Sequence, residues 1–539
     1  MDTIEIFVIL FGIIVAVAQL FNKSSIPTSL LLVITGMILS FLPYFPQINL
    51  NPDIVLNIFL PVLVYEISAY SSWQDLKKNV RPVILMSVGH VLFITAVVAV
   101  VIHALIPQIG WPLAFVLGAV ISPPDTVAIV SIAEKIRMPR RIVTILEGEG
   151  MLNDATALIL FRFALVAVVT HQFSAIHAVS AFFAVVIGET LYGLVLGYII
   201  AEIRLRIRNP MLHVLASFLT PFLAYLPAVK LGGCGVLATV VTGFVIGHIY
   251  AMRFTPEFRL VSRSIWPATA FAIQSILFLL VGLDMRFVLQ SISSISYQSL
   301  LIYSVAVILA VIIGRFIWVF AATLIPRFLI PSLRKKDPYP PWQATFIVSW
   351  AGMRGGISLA AALAVPTLPI MIDGANSKNL LIFLVFCVIT ATLLLQGLTL
   401  PWLLKVLGVQ SFGQHEKYCE HVGELRARLK MTRAVLRWLA EYKDQIKDDL
   451  KLLDEVKLRI KKYRMVRNQL KERIANHQEG DEKEHTEEAE AASTVYLQSQ
   501  VIEVERGELL RLWHKEEISY TVRNKLVERL DHRTKHLAE

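Results

Sequence analysis

Long apolar runs, separated by short charged connections, fill the chain from its start to about residue 407. A transmembrane helix needs about 20 consecutive apolar residues to cross about 30 Å of hydrocarbon, and many of the runs have this length. We count thirteen candidate spans, at residues 3–21, 27–43, 52–70, 82–106, 111–133, 141–170, 177–200, 210–229, 233–250, 264–283, 297–325, 342–365 and 378–405. With 55% hydrophobic and 17% charged residues, the pattern excludes an ordinary soluble enzyme and predicts an all-α polytopic membrane protein.

The lysines and arginines of the connecting loops indicate the orientation. Eighteen lie in one set of alternate loops, and only Lys230, Arg286 and Lys378 lie in the other. Because basic loops stay in the cytoplasm, we expect the N-terminus outside and the C-terminus inside, in a plasma or inner cell membrane. The first run lacks a basic stretch before it and a cleavage site after it, so it reads as a retained helix. The net charge of +10 follows from this topology and calls for no nucleic-acid partner.

The chain turns polar after the last apolar run. We therefore predict a transmembrane domain over 1–408 and a cytosolic helical domain over 409–539, with a linker at the acidic tract 479–490. The second domain is either a solvated helical bundle without an activity of its own or a regulatory or dimer-stabilising tail. Three cysteines, two of them within apolar spans, indicate neither a disulfide framework nor a metal site, and no cofactor is expected.

Ionisable side chains inside the spans are functional candidates, because each costs at least about 2.5 to 3.5 kcal/mol to insert. Asp125 follows two prolines in Ser122-Pro123-Pro124-Asp125-Thr126, in the middle of an apolar run. Prolines remove backbone donors and interrupt a helix, and the freed carbonyls and half-helix ends can coordinate a cation. The alternative is a simple proline kink with a capping aspartate.

Asp154 is predicted to lie near the membrane midplane, about 16 Å along its helix from the preceding basic loop. A carboxylate at that depth is stable when it is protonated or paired with a cation, but not as a bare anion, so proton and cation should compete for it. Such competition is the chemistry of an antiporter. The alternative is an aspartate paired with a buried base for structural reasons.

Further ionisable groups lie in the spans. Arg354 lies among three glycines and needs a buried anion, for which Glu149 is the predicted partner in a structural ion pair. Glu66 either helps to bind the ion or faces an aqueous vestibule. Arg162, two turns beyond Asp154, either biases that site or pairs with a carbonyl.

The motifs at these positions resemble those of monovalent cation:proton antiporters of the sodium/proton exchanger branch. The resemblance covers about residues 1–408 and rests on four stretches in this order: Ser122-Pro123-Pro124-Asp125-Thr126-Val127-Ala128, Glu147-Gly148-Glu149-Gly150-Met151-Leu152-Asn153-Asp154-Ala155, Gly352-Met353-Arg354-Gly355 and Gln396-Gly397-Leu398-Thr399-Leu400-Pro401. It implies about thirteen transmembrane helices in two inverted-topology repeats, with two interrupted helices crossing at the ion site. It also implies a homodimer and elevator-type alternating access.

The resemblance assigns roles to single residues. Asp154 carries the ion or proton, Asn153 and Pro124 belong to the crossing, and Asp125 helps to hold it. The adjacent Asn153 and Asp154 resemble electroneutral members, which implies one cation per proton. The residues expected to bind the ion and the proton are Asp154, Asn153, Asp125, Pro124 and Glu66. The buried ion pair is expected between Glu149 and Arg354, and the possible modulators are Thr126, Arg162 and Arg315.

Two departures from the family pattern bear on ion choice. Gly150 stands where many members have a hydroxyl ligand, and Pro124-Asp125-Thr126 stands where many have Thr-Asp-Pro. These departures leave the choice among Na⁺, Li⁺ and K⁺ open, and Na⁺ is the cation that we expect first. A cation channel is disfavoured because no pore-lining repeat is present. A membrane sensor signalling through the C-terminal domain is the alternative from another functional class.

Overall fold

A computed structural model describes residues 3–21, 26–42, 51–125, 129, 138–170, 175–250, 253–254, 256–367, 370–372, 375–445 and 450–476, together with positions 505, 509 and 511. The chain divides into two compact units, Met1–Gln414 and His415–Glu539. Over the described residues it is mostly helical, and the strands found there are one antiparallel pair, β1 (Met371–Ile372) and β2 (Ala375–Asn376). The prediction of an all-α polytopic membrane protein is confirmed.

The helices of the first half of the membrane unit follow the apolar runs closely. They are α1 (Thr3–Leu20), α2 (Thr28–Ser40), α3 (Pro52–Tyr70), α4 (Trp73–Lys78), α5 (Val80–Leu105), α6 (Trp111–Ile121), α7 (Arg140–Thr170), α8 (Ala175–Leu205) and α9 (Pro210–Lys230).

The second half continues in the same way. It contains α10 (Val236–Phe244, continued by a π-helical segment Val245–Tyr250), α11 (Pro256–Leu283), α12 (Met285–Ser291), α13 (Tyr297–Leu329), α14 (Pro331–Lys336), α15 (Trp342–Trp350), α16 (Gly356–Leu363) and α17 (Ser377–Val406). The long helices α18 (Val409–Gln445) and α19 (Leu450–Asn476) follow.

Eight helices of the described chain are long and apolar enough to cross a membrane. Four shorter apolar helices, Val8–Leu20, Thr28–Ser40, Trp111–Ile121 and Val236–His248, stand beside them. Each predicted span overlaps helix in the structure, but the count of thirteen crossings goes beyond these eight and stays a prediction. The described part of the span at 111–133 and the span at 342–365 both contain breaks, and these breaks position the candidate site.

Close helix packing builds the core of the membrane unit. Helix α2 packs along α11, α5 packs against α6 and α13, and α6 packs against α7. Gly36 of α2 faces Gly282 of α11, and a Cβ on either residue would overlap the backbone of the opposite helix. Small residues at such a crossing let two backbones approach, which is how membrane helices associate without a hydrophobic driving force.

Candidate ion site

In the described part of the membrane unit, two helices end inside apolar runs, and the irregular segments that follow them meet. Helix α6 ends at Ile121 and is followed by non-helical residues through Asp125. Helix α15 ends at Trp350, and α16 begins only at Gly356. The backbone N–H of Asp125 donates to the carbonyl of Met353 over 2.7 Å, so the two irregular segments are hydrogen-bonded to each other. Irregular backbone inside a membrane protein is tolerated where other protein groups satisfy it in this way.

Buried arginines satisfy the carbonyl ends of the two half-helices. The Arg354 Nε donates to the Ile121 carbonyl at the end of α6 over 2.8 Å, and its Nη1 donates to Gly352 O. Arg315 of α13 donates through Nη2 to the carbonyls of Val348 (3.1 Å) and Ala351 (2.8 Å) at the end of α15. The last carbonyls of a helix have no partner within it and carry partial negative charge, so each guanidinium stabilises one helix end.

The buried ion pair of this region forms between Glu149 and Arg315. Arg315 Nη1 lies 2.6 Å from Glu149 Oε1 and Nη2 lies 2.9 Å from Oε2, a bidentate pair in which both side chains are at most 1% exposed. The prediction that Arg354 is the partner of Glu149 is therefore wrong. The partner is Arg315, which was predicted as a possible modulator. The physical reason is that the Arg354 guanidinium is committed to the backbone carbonyls of the two breaks.

The Asp125 carboxylate lies against the start of α16. A Cβ added at Gly355, the residue before the first turn of α16, would collide with that carboxylate, so glycine is required there. A helix N-terminus carries unpaired N–H groups and partial positive charge, which favours an anion at this place. Asn153 of α7 donates from Nδ2 to the carbonyl of Pro124 over 2.8 Å and so attaches α7 to the first break.

A cavity of about 40 Å³ lies where these elements converge, which is room for about one water molecule at roughly 30 Å³ each. Its polar lining comes from Asp125, Asp154 and Gln274. The rest of its lining is apolar or glycine: Leu63, Val64 and Ile67 of α3, Pro124, Gly150, Leu277 and Phe278 of α11, and Gly356 and Ile357 of α16. The site thus combines two carboxylates and one amide in otherwise apolar surroundings.

Asp154 is the carboxylate without a committed partner. Among the described residues, no donor hydrogen-bonds to it and no cation pairs with it. Glu149, five residues earlier on α7, is by contrast neutralised by Arg315. The helix therefore presents one neutralised carboxylate and one available carboxylate, and the available one lines the cavity.

The remaining predicted residues lie elsewhere. Glu66 is half-buried on α3 and does not line the cavity, although its neighbours Val64 and Ile67 do. Arg162 donates from Nη1 to the carbonyls of Gly232 (3.2 Å) and Gly233, which matches the carbonyl-pairing alternative. Thr126 lies outside the described residues.

Two polar residues of the membrane unit were not among the predicted site residues, one inside the ion cavity and one outside it. Gln274 reaches the cavity from α11, where it is a lone amide in an apolar stretch. Glu189 is 5% exposed on α8 and accepts from the backbone N–H groups of Gly235 (2.8 Å) and Ala238 (3.2 Å), so it caps the start of α10. A carboxylate in the middle of the run at 177–200 was the signal for Glu189.

Comparison with protein families decides the identity of the membrane unit. The family described as sodium/hydrogen exchanger, transmembrane, matches residues 6–406. The chain belongs to the sodium/hydrogen exchanger family. It is therefore a multi-pass cation/proton antiporter, a transporter rather than an enzyme, and the resemblance inferred from the four motifs is confirmed.

Several curated relatives share the family. An uncharacterized Na⁺/H⁺ exchanger of Mycobacterium tuberculosis is 31% identical over 451 residues, covering 81% of each chain. The low-affinity Na⁺/H⁺ antiporter NhaS1 of Synechocystis is 30% identical over 459 residues, covering 83% of this chain and 82% of the relative. A sodium, potassium, lithium and rubidium/H⁺ antiporter of Bacillus subtilis is 30% identical over 417 residues, covering 74% and 61%.

A solved structure supports the fold. The sodium proton antiporter MjNhaP1 from Methanocaldococcus jannaschii at pH 8 superposes with a TM-score of 0.58 at 17% identity, covering 76% of this chain and all of that chain. This likeness concerns the exchanger fold alone. Membership of the exchanger family does not favour the sensor alternative.

Proposed function

We propose that this exchanger carries one monovalent cation or one proton at a time on the carboxylate of Asp154. The observation that carries the proposal is the contrast on α7, where Glu149 is neutralised by Arg315 while Asp154 lines the cavity without a partner among the described residues. A bare carboxylate is poorly solvated in such surroundings, so either a proton or a cation must neutralise it. One site with two mutually exclusive occupants gives obligatory exchange.

A ratio of one cation to one proton follows from the same geometry. The residue before Asp154 is the neutral Asn153, whose amide is engaged by the Pro124 carbonyl. Asp125 faces the N-terminal end of α16, and that positive end stabilises its charge without a transported ion. A single titrating carboxylate carries one positive charge in either direction, so transport is electroneutral.

The cavity favours a small cation with oxygen ligands. Asp154, Asp125 and Gln274 offer oxygens, and a volume of about 40 Å³ leaves room for water in the coordination shell. With Gly150 there is no hydroxyl at that position to select an ion strictly. Na⁺ is the principal substrate that we propose, and Li⁺ and K⁺ belong in the same test because the Bacillus subtilis relative is named for several cations.

Alternating access requires one part of the membrane unit to move past another. Four sets of bonds join α6, α7, α13, α15 and α16: Asp125 to Met353, Asn153 to Pro124, Arg354 to Ile121, and Glu149 to Arg315. The cavity wall from α3 and α11 is apolar except for Gln274. We propose that the joined helices move as one body along this wall, in an elevator-like motion.

The proposal includes the wider organisation predicted from the sequence. The exchanger has about thirteen crossings in two inverted repeats and works as a homodimer in a plasma or inner cell membrane. Its N-terminus lies outside and its C-terminus in the cytoplasm, as the distribution of basic loops favours. Residues 409–539 form a cytosolic helical domain, either without an activity of its own or regulatory, and the polar composition of that region supports the cytosolic location.

The test is cation-dependent proton movement in proteoliposomes with a preset pH gradient. Na⁺, Li⁺ and K⁺ are added in turn to the wild type, to Asp154→Asn and to Asp53→Asn, a control that removes an exposed carboxylate at the start of α3. We expect exchange in the wild type and in the control and none in Asp154→Asn. Exchange that persists in Asp154→Asn would rule out this residue as the carrier.

A further inference from the structure

A second polar cavity lies in the membrane unit, away from the ion site and close to the arginine-rich loops. It measures about 170 Å³ and is bounded by α3, the end of α8, the segment after α10 and the start of α11. Three arginines, Arg204, Arg259 and Arg263, line it together with His248. Among the described residues, no aspartate or glutamate lines it. The charged side chains that line the cavity, as far as the structure describes them, are therefore all guanidinium groups.

Arg204 is the central group of this cavity. Its side chain is 2% exposed, and its guanidinium lies 5.1 Å from the ring centres of both Phe254 and Phe258. Its Nη1 donates a long hydrogen bond of 3.3 Å to the Tyr65 hydroxyl, and its Nε has no partner in the described part of the chain. Aromatic faces offset only part of the cost of burying a cation, and no carboxylate of the described residues forms an ion pair with this guanidinium.

Other polar groups line the cavity around Arg204. Tyr70 and Ser262 hydrogen-bond to each other on the cavity wall, and the buried His248 Nδ1 has no partner among the described residues. Arg259 is half-buried and donates to the Phe254 carbonyl over 2.6 Å, which fixes its position. Arg263 is exposed at the rim. One buried, one half-buried and one exposed guanidinium thus converge on a single space.

We propose that this cavity binds a phosphate-bearing anion, either the headgroup of an anionic phospholipid or free phosphate. Guanidinium groups match phosphate oxygens with two parallel hydrogen bonds, and several of them neutralise its charge. Basic cavities between membrane helices, next to basic loops, suit anionic headgroups. The volume of about 170 Å³ holds a phosphate group and leaves the attached chains to lie outside.

The same two helices line this cavity and the ion cavity. Helix α3 contributes Tyr65 here and Val64 there, and α11 contributes Trp266 here and Gln274 there. An anion bound by Arg204 would therefore stabilise the positions of α3 and α11. These two helices form the cavity wall along which the joined helices are proposed to move. The binding claim itself does not depend on the mechanism of exchange, because it concerns residues outside the ion cavity.

The test measures ligand-dependent thermal unfolding of the purified full chain in a neutral detergent. Phosphatidylglycerol is compared with phosphatidylcholine, and sodium phosphate with sodium chloride at equal ionic strength. The variants are Arg204→Gln and Arg259→Gln, with Arg208→Gln as a control that removes an exposed arginine outside the cavity. If Arg204→Gln does not fold, Arg263→Gln at the rim takes its place.

We expect a saturable rise in the unfolding temperature with phosphatidylglycerol and none with phosphatidylcholine. The apparent affinity should fall at least about tenfold in Arg204→Gln and severalfold in Arg259→Gln or Arg263→Gln, and should be unchanged in Arg208→Gln. A matching rise with phosphate alone identifies free phosphate as a ligand, whereas a rise with phosphatidylglycerol alone identifies a lipid headgroup. No saturable rise with either, or an equal loss in Arg208→Gln, would overturn the proposal.

Discussion

Most buried polar side chains at the candidate site hold the interrupted backbone in place. One carboxylate has no such bond, and we propose that it takes part in transport. Arg315 and Arg354 stabilise the carbonyl ends of α15 and α6, and Glu149 neutralises Arg315. Asn153 holds the Pro124 carbonyl. Because these side chains are already committed, we propose Asp154 as the residue whose charge changes during a transport cycle. The following predictions test this division one residue at a time.

The first prediction concerns the partner of Glu149. Arg315→Met should destabilise the protein by about 3–5 kcal/mol, because it leaves a buried carboxylate without its cation. Combining it with Glu149→Gln should recover part of the loss, with a coupling of about 1–3 kcal/mol in the double-mutant cycle. Thermal or denaturant unfolding in detergent measures both. A parallel cycle of Glu149→Gln with Arg354→Met serves as the control, and a larger coupling there would show that Arg354 is the functional partner after all.

The second prediction concerns Gln274, which lines the cavity beside Asp154. Gln274→Leu keeps a similar volume but removes one oxygen ligand, a loss of about 1 kcal/mol that corresponds to a severalfold weaker apparent affinity for the cation. The maximal rate should change less. Exchange rates at several Na⁺ concentrations in proteoliposomes distinguish the apparent affinity from the maximal rate. Ser264→Ala, a substitution of an exposed residue on the same helix, is the control. An unchanged apparent affinity in Gln274→Leu would remove this residue from the site.

The sequence predicted which residues are chemically unusual better than it predicted their partners. Asp125, Asn153 and Asp154 stand out as polar groups in apolar runs, and the structure brings them together. The choice between Arg315 and Arg354 as partner of Glu149 depends on how α13 is rotated against α7, which no local pattern encodes. Gln274 is uncharged, so a search for costly charges passes over it.

At the scale of helices, the site depends on how the two interruptions fit together. The interruption at Pro123 and Pro124 follows from chemistry that can be read in the sequence, because proline removes backbone donors. The interruption around Gly352–Gly356 is the second of the two that the family resemblance implied. Their mutual hydrogen bond, from Asp125 to Met353, joins residues far apart in the chain and required the structure. The ends of the helices were likewise predictable only to within several residues.

The third prediction tests the contact between the interruptions. Gly355→Ala places a methyl group against the Asp125 carboxylate and should reduce exchange at least about tenfold, since the two segments can no longer meet in the same way. Gly12→Ala is the matched control, because nothing lies within 4 Å of a Cβ at Gly12. Exchange and thermal stability are measured for both. Full exchange in Gly355→Ala would show that the close approach at α16 is not needed.

The fourth prediction concerns a salt-bridge cluster that links helix ends outside the apolar spans. Asp337 lies 2.7 Å from Arg141 at the start of α7 and 2.6 Å from Arg327 near the end of α13. Partial burial tends to raise the pKa of the Asp337 carboxyl, but the hydrogen bond from Arg141 and the charges of Arg141, Arg327 and Arg81 prevail, so its pKa lies below the ordinary value.

A lowered pKa in the folded state gives stability that is present above the unfolded-state pKa of about 4 and is lost as the pH falls through the folded-state pKa. Asp337→Asn should therefore be less stable than the wild type by about 1 kcal/mol at pH 7, a value suited to a partly exposed pair. The difference should stay constant down to about pH 5 and shrink below about pH 4. Unfolding temperatures across this range measure it, and a difference that grows with acidity would contradict the assigned sign.

At the scale of the whole molecule, the exchanger family matches the membrane unit and leaves the polar C-terminal region beyond it. All groups of the proposed ion site lie between α3 and α16.

The fifth prediction concerns removal of the C-terminal region. A chain that ends after Gln414 should retain cation-dependent proton exchange, with a changed rate or pH dependence if the removed region regulates it. Complete loss of exchange in a truncated protein that still unfolds cooperatively would revive the sensor alternative.

The central claim is that a cation and a proton displace each other at Asp154. The most direct measurement is the number of protons released when Na⁺ binds to the purified protein in a weakly buffered detergent solution, near the pH at which exchange is half-maximal. We predict saturable Na⁺ binding with release of up to about one proton per cation in the wild type. Asp154→Asn should neither bind Na⁺ at this site nor release the proton. Na⁺ binding with no proton release in the wild type, or with unchanged release in Asp154→Asn, would contradict the account.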